Sequence, residues 1–354
     1  MSFTNDNCTK TSHIPLDRIR VIVAGLGALG AEVVKNLGLL GCGSVFLVDP
    51  DLVENINIGR SALLRYSAYL GQAKVEAMLD AARAMFPGTE WGGLVAEIAD
   101  LEEEDFKGTD LLFGCVDSDL ARTECALLSA RFAIPVCDGG LGGTNLRMGR
   151  VSWLPGGESA CFSCLLSGQR RASLLSYWES AVHACWADAA LPQQTQHRWT
   201  STPSMASIVG GMQVEIGFGA LREQEDAESP ARGSYSLSSY VFSSYASSSY
   251  SLSMDFSSLE PVRRLTHARS TACPFHGEVS GDLLSFPVCT LALCETCGSE
   301  FKANHRIAWL RRRGICPACG SKDLTVVASQ RNRAASERNP MVNERNLADP
   351  VVVR

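Results

Sequence analysis

The 354-residue chain lacks a surplus of positive charge. Its 32 Lys and Arg are outnumbered by 38 Asp and Glu, for a formal net charge of −6. Without a basic footprint, nucleic acid is not the expected ligand. The chain also lacks an apolar signal region, because Met1–Lys10 is polar. No apolar stretch reaches the roughly 18 residues of a spanning helix without an interrupting glycine or charge. A cytoplasmic protein with no membrane contact is therefore expected. What is plentiful is cysteine, at 14 residues. A reducing compartment keeps thiols free, so their number calls for an explanation other than disulfides. The 45% hydrophobic and 20% charged fractions are those of an ordinary globular protein with room for one large and one small domain.

Local patterns define the larger domain. RVIVA enters a glycine turn, Gly25-Leu-Gly-Ala-Leu-Gly30, which opens a helix through Ala31–Leu40. Ser44–Asp49 is a second apolar strand, followed by a helix over Ala73–Met85 and a strand expected near Leu94–Ile98. Leu111–Asp117 and Ile134–Gly140 are further strands, with a helix from Leu120 to about Phe132 between them. Strands that alternate with helices and end on polar residues indicate an α/β, doubly wound, mostly parallel sheet with ligands at the strands' carboxyl ends. Beyond Val151 the pattern loosens, returning as an apolar helix over Met205–Leu221. Gly233–Ser258 is rich in Ser and Tyr, and reads either as a linker or as a pair of exposed strands. Arg311–Arg313 reads as a solvated helix face.

The glycine turn lets backbone approach phosphate oxygens, and Asp49, 19 residues after Gly30, stands where a carboxylate accepts bonds from a ribose. Alone, this pair indicates an adenine nucleotide and fits a nicotinamide dehydrogenase equally well. Asp51, Glu54, Asn57 and Arg60 follow in one loop, Lys74 begins a helix, and Asp117 ends a strand. Holding a triphosphate needs such cations and a metal-binding carboxylate, whereas hydride transfer does not. Taken singly, Lys74 also reads as a solvated helix charge and Asp117 as a helix N-cap.

Together these motifs resemble the adenylyltransferases of molybdopterin and thiazole biosynthesis and the ubiquitin-activating enzymes, over roughly Leu16–Leu221. GLGALG, DPDLVENINIGR, GQAK and DSDLAR carry the resemblance. It implies a Rossmann-like domain in which Gly25, Gly27, Gly30, Asp49 and Asp51 line the ATP site. Asn57, Arg60 and Lys74 would hold phosphates and Asp117 a Mg²⁺, with Arg122 supporting the Asp117 turn. It further implies a ubiquitin-like protein with a C-terminal glycine as partner, a homodimer, and a conjugating enzyme downstream. The residues before Leu16 carry no R-Y-x-R-Q-like segment, so the γ-phosphate is expected to be held another way. The organisation expected is a flexible 1–15, an adenylation domain over 16–280 with a crossover excursion at about 169–204, a zinc ribbon over 281–328 and a disordered 329–354.

Cys294-x-x-Cys297 and Cys316-x-x-Cys319, 18 residues apart, have zinc-ribbon spacing. Cys161-x-x-Cys164 resembles the family's first zinc pair, and Cys273-x-x-His276 stands where the second is expected, giving a Cys₃His site. Two structural Zn²⁺ sites follow. Cys185, with His183, His197 and Arg198 nearby in sequence, is the candidate thioester cysteine; the alternative is a thiol packed beside Trp178 and Trp186. Asp138–Asn145, DGGLGGTN, reads as a path for an extended Gly-Gly tail or as a hairpin turn. Rival functions are activation of a sulfur carrier or another carboxylate without a thioester, and a non-catalytic ATP- and zinc-binding scaffold.

Overall fold

Val21–Val23 and Val45–Leu47 are β-branched and apolar runs, and they pair in parallel as the centre of a sheet. The computed structural model describes residues 15–101, 103–142, 146–157, 159–174, 201–228, 248–257, 262–273, 276, 290–303 and 315–329. Cys185 and its neighbours, most of the Ser/Tyr-rich stretch, Arg311–Arg313 and the tail lie outside these residues. The chain divides into two units. One comprises Met1–Ile98, Phe106–Leu166 and Arg198–Cys273; the other comprises Ala99–Asp105, Ser167–His197 and Pro274–Arg354.

The first unit is built on β1 (Arg20–Ala24), β2 (Ser44–Val48), β3 (Glu90–Leu94), β4 (Leu111–Gly114), β5 (Val136–Gly142), β6 (Met148–Leu154), β7 (Tyr250–Asp255) and β8 (Val262–Thr266). They form one sheet in the order β3-β2-β1-β4-β5-β6-β7-β8. The first five are mutually parallel, and β6, β7 and β8 add on antiparallel. The helices needed here are α1 (Ala28–Leu40), α2 (Asn55–Ile58), α3 (Lys74–Met85), α4 (Asp119–Phe132) and α5 (Pro203–Glu228). Helix α1 ends where Gly41 turns left-handed, as a C-terminal glycine does. The side chain of Ser118 caps α4 by accepting the Ala121 N–H. The N-cap is therefore Ser118 and not Asp117, which is left exposed three residues past β4, a strand that stops at Gly114 and not at Asp117 as expected.

Two further sequence expectations are corrected. The third strand runs over Glu90–Leu94 rather than Leu94–Ile98. Gly92 and Gly93 hid it by lowering the apparent strand propensity, yet a Cβ on Gly93 would fall 2.7 Å from the Leu47 carbonyl oxygen. The close approach to β2 is what requires glycine there. The end of the Ser/Tyr-rich stretch is not an exposed strand either. As β7 it lies inside the sheet between β6 and β8, with Tyr250, Ser251 and Met254 buried. The Asp138 segment is a hairpin arm, since β5 turns back into β6.

Helix α5 covers one face, placing Val209, Val214 and Phe218 in the core with Trp153 and Phe113. In the middle of this apolar contact lies Gln213, with no exposed surface. Its Nε2 donates to the carbonyl oxygens of Gly114 (3.1 Å) and Cys137 (3.0 Å). It thereby ties the end of β4 to the start of β5. Gln213→Leu would remove two buried hydrogen bonds from carbonyls that keep their ladder partners, each worth about 0.5–1.5 kcal/mol. We expect urea unfolding to show a loss of about 1–3 kcal/mol, against less than about 0.5 kcal/mol for substitution of an exposed residue of the same helix.

The second unit contains a separate sheet, β9 (Thr290–Cys294), β10 (Glu300–Ala303) and β11 (Leu324–Ser329), in the order β10-β9-β11 and antiparallel throughout. No helix of the described residues is long and apolar enough to cross a membrane.

Candidate functional site: a nucleotide loop and two cysteine clusters

The glycine turn is shaped by contact within the chain. Gly25 has φ +90°, and a Cβ there would lie 2.7 Å from the Cys115 carbonyl oxygen; one on Gly30 would strike the Gly25 carbonyl. Both positions need glycine for close packing of β1, α1 and β4. Gly27 differs, having an ordinary negative φ and nothing within 4 Å of an added Cβ. It is the N-cap of α1, whose first turn carries neither a side-chain cap nor an acidic residue. That leaves an open helix N-terminus of the kind that binds anions.

Asp49, at the end of β2, is buried, and its carboxylate accepts the N–H groups of Leu26 (2.6 Å) and Asp51 (2.8 Å). The loop beyond it is pinned to the segment before α3 by backbone bonds from Val53 to Gln72, from Gly71 to Val53 and from Lys74 to Asp51. This fold-back carries Lys74 to the carboxylates. Its Nζ lies 2.8 Å from Asp51 and 3.7 Å from Asp49. Lys74 is buried, so it is no solvated helix charge. Burial would lower its pKa, but Asp49, Asp51 and Asp117 together hold it above the ordinary lysine value. Burial raises the Asp49 pKa, and Lys74 opposes the shift. The structure thus brings Asp49, Asp51, Lys74 and Asp117 into one electrostatic group of three carboxylates and one ammonium.

Asn57 and Arg60 lie on the same connecting segment but join this group by no hydrogen bond or ion pair among the described residues. The Asn57 side-chain oxygen accepts the Glu54 N–H in a capping box at α2, so only its NH₂ is left to donate to a ligand. Arg60 is half-buried just past α2. Arg122 is committed to Asp138 (2.6 Å) and the Gly139 carbonyl (2.8 Å), not to the Asp117 turn. Sequence reasoning passed over three groups at this end of the sheet: the Asp138 carboxylate, Arg150 and Gln213. A carboxylate ending a parallel strand was a usable signal for Asp138; the other two are reached only through non-local pairing.

In the first unit, Cys161 Sγ lies 3.8 Å from Cys164 Sγ and 3.7 Å from Cys273 Sγ. His276, three residues past Cys273 in sequence, is the fourth ligand expected from the Cys-x-x-His spacing. Hydrogen bonds with Cys164 and Cys273 push the Cys161 thiol up, and burial adds to this. In the second unit, Cys294 and Cys319 are 3.6 Å apart and Cys297 and Cys316 3.7 Å apart, with all four thiols within 4.8 Å of one another. A tetrahedral ion with 2.3 Å metal–sulfur bonds spaces its sulfurs about 3.8 Å apart. The three thiols of the first unit and the four of the second therefore have the spacing to hold zinc. Against the opposing effect of burial, the N–H groups of Cys319 and Ala318 pull the Cys316 thiol down to about 6, which favours the thiolate a metal needs.

The parallel sheet, glycine loop and strand-end acids define a Rossmann-like protein of the nucleotide-binding class. The profile of the ThiF family matches residues 9–244, and the chain belongs to that family. The SUMO-activating enzyme subunit 2 of Dictyostelium discoideum is 27% identical over 150 residues, which are 41% of this chain and 22% of that protein. The Nedd8-activating enzyme E1 catalytic subunit of Drosophila melanogaster is 26% identical over 162 residues, 42% and 35% of the two chains. The ubiquitin-like modifier-activating enzyme 5 of D. discoideum is 28% identical over 160 residues, 42% and 41%. The chain thus spans well under half the length of these relatives. Among solved structures, E. coli MccB with SeMet MccA superposes with a TM-score of 0.51 at 15% identity, covering 75% of this chain and 67% of that one. MccB with ATP gives 0.50 at 14% identity, covering 74% and 68%. These likenesses carry the fold.

Replacing Lys74 with Met removes the cation that opposes the burial of Asp49, so the Asp49 pKa should rise further. Carboxyl ¹³C titration by NMR would measure it; an unchanged Asp49 would refute the coupling. Because the folded-state pKa lies above the unfolded one, the contribution of Asp49 to stability is greatest below its unfolded value and falls as pH rises through the folded one. Asp51 is 61% exposed at the side chain, so Asp51→Asn should change stability by less than about 1 kcal/mol.

Proposed function

We propose that this chain uses ATP–Mg²⁺ to adenylate the C-terminal glycine carboxylate of a ubiquitin-like protein. The observation that carries the reading is Lys74, a buried ammonium that pairs with Asp51, faces Asp49 and feels the charge of Asp117. Asp49 is itself bonded to the turn that opens the uncapped α1. Family membership and the activities for which the relatives are named support it. In this reading the glycine loop and helix N-terminus receive phosphates, while Lys74, Asn57 and Arg60 neutralise charge on the leaving pyrophosphate. Three carboxylates around one ammonium leave the pocket short of positive charge for a triphosphate, which is the deficit that Mg²⁺ on Asp117 would offset. An oxygen of the substrate carboxylate attacks the α-phosphorus, the bond to the β-phosphate breaks, and pyrophosphate leaves with its electron pair. The product is an acyl-adenylate.

Cys185 would then take the acyl group as a thioester for delivery to a conjugating enzyme, with the protein acting as a homodimer in the cytoplasm. Activation of a sulfur carrier or another carboxylate needs no such cysteine. The test is ATP–pyrophosphate exchange with ubiquitin-like proteins ending in glycine. Exchange should depend on the partner and fall by about 10²-fold or more in Asp117→Ala. Cys185→Ala should keep exchange and lose a thiol-sensitive adduct; full conjugation by that variant would favour the reading without a thioester. Bound ATP with no exchange for any partner would favour the scaffold reading.

We also assign one structural zinc to Cys161, Cys164, Cys273 and His276 and one to Cys294, Cys297, Cys316 and Cys319. Elemental analysis of the purified chain should return about two zinc per chain. Cys294→Ser with Cys316→Ser should remove one while leaving pyrophosphate exchange intact. Retention of both ions in that variant would refute the second site.

A further inference from the structure

The first unit carries a second charged group, on the β5–β6 hairpin. Asp138 is buried and holds Arg122, whose guanidinium also donates to the Gly139 carbonyl. Arg150 reaches the same carboxylate from β6, but at 3.5 Å, beyond good hydrogen-bond length. Its Nε is buried with no hydrogen-bond partner. Both guanidinium groups lie near the Phe162 ring, at 5.8 Å for Arg122 and 5.5 Å for Arg150. Two cations thus share one carboxylate, and Arg150 is the one left short of acceptors. Burial and the Arg122 charge work against its protonated form, with Asp138 opposing, so an incoming anion would relieve it.

Register places this group. Val48, Ala24, Gly114 and Asp138 form one row across β2, β1, β4 and β5. The nucleotide group begins one residue past that row, at Gly25 and Asp49. Strand β5 runs on for four residues, paired with β6, so the hairpin rises beyond the carboxyl ends of the parallel strands. Arg150 stands opposite Gly140, two residues past the row, or about 7 Å. Gly139 faces Gln213 of α5, so Asp138 and Gly140 face the other side, toward α4. Helix α4 begins just after Asp117 and supplies Arg122. Gly140 puts no side chain there, and the Arg122 guanidinium lies over it, 3.4 Å from where a Cβ would stand.

We propose that Arg150 is the substrate-carboxylate residue of this site, receiving the terminal carboxylate of an extended, glycine-ended peptide tail that reaches it over the β5–β6 hairpin and stops at the two guanidinium groups above Gly140. The assignment rests on the adenylation reading and deepens it. The planar fork of Arg150 suits a carboxylate, and its charge offsets repulsion between that carboxylate and the ATP phosphates. One carboxylate oxygen stays with Arg150 while the other forms the bond to the α-phosphorus; the bond to the β-phosphate breaks and pyrophosphate takes the electron pair. The acyl-adenylate no longer carries the carboxylate charge, so the hold weakens once the reaction has occurred.

The test titrates two synthetic hexapeptides ending in Gly-Gly, one a free acid and one a carboxamide, into the full chain loaded with Mg²⁺ and a non-hydrolysable ATP analogue. Wild type should prefer the acid at least tenfold. Arg150→Met should abolish that preference while binding the nucleotide analogue as wild type does, and Arg150→Lys should restore part of it. If Arg150→Met lowers the melting temperature, the Arg150→Lys comparison decides. Preference for the acid in wild type that survives unchanged in both variants overturns the assignment and leaves adenylation standing. No preference in analogue-loaded wild type overturns it as well. Failure of wild type to bind the nucleotide analogue overturns the adenylation reading, and the assignment with it.

Discussion

The Asp49 carboxylate ties three elements into one edge. It accepts the Leu26 N–H from the glycine turn and the Asp51 N–H from its own loop, and it faces the Lys74 ammonium at the start of α3. A buried carboxylate is unfavourable unless its oxygens are satisfied and its charge is balanced. Here two backbone donors satisfy its oxygens and a buried lysine offsets part of its charge. The geometry of the turn, the fold-back of the loop and the position of Lys74 consequently depend on one another. Removing one partner leaves the others with an uncompensated charge, so the site is a cooperative unit rather than a set of independent contacts.

The sheet divides the remaining work. Its parallel half ends at the glycine turn, Asp49 and Asp117. Its antiparallel half extends past that edge as the β5–β6 hairpin and continues into β7 and β8. Gln213 fastens α5 to the sheet where β4 meets β5, donating to the second lone pair of a carbonyl on each strand. An apolar residue there would fill the space without answering those carbonyls. Packing and polar satisfaction therefore act on the same side chain.

Much of this was legible in the sequence because it is local. The run RVIVAGLGALG contains a strand, a turn and a helix start within eleven residues, and the repeated Cys-x-x-Cys pairs declare their spacing outright. Lys74 and Asp117 could be read as ligand residues because both fall at element ends. Legibility failed where the cause is non-local. Strand β3 carries two glycines because β2 packs tightly against it, and a one-dimensional reading takes glycine as a break. Strand β7 looks like solvent-facing Ser and Tyr until its neighbours on both sides are known. Arg122 stands beside Asp117 in sequence yet pairs with Asp138, 16 residues on, because β5 returns next to β4. Arg150 had no local signal, since its significance comes from sharing a carboxylate that another strand supplies.

The two charged groups are unbalanced in opposite senses. Around Asp49, three carboxylates face one ammonium; around Asp138, two guanidinium groups face one carboxylate. Asp51 and Asp117 keep their water, but Asp49, Lys74, Arg122 and Asp138 have largely lost theirs, so the buried part of each group is sensitive to any unmatched charge beside it. The first would be relieved by a divalent cation, which a nucleotide brings with it; the second would be relieved by an anion. A reaction that joins a metal-bound nucleotide to a carboxylate presents both at once and removes the carboxylate charge as it proceeds. The same residues would then hold the reactants more tightly than the acyl product, and the charge that favours binding would not trap what is made.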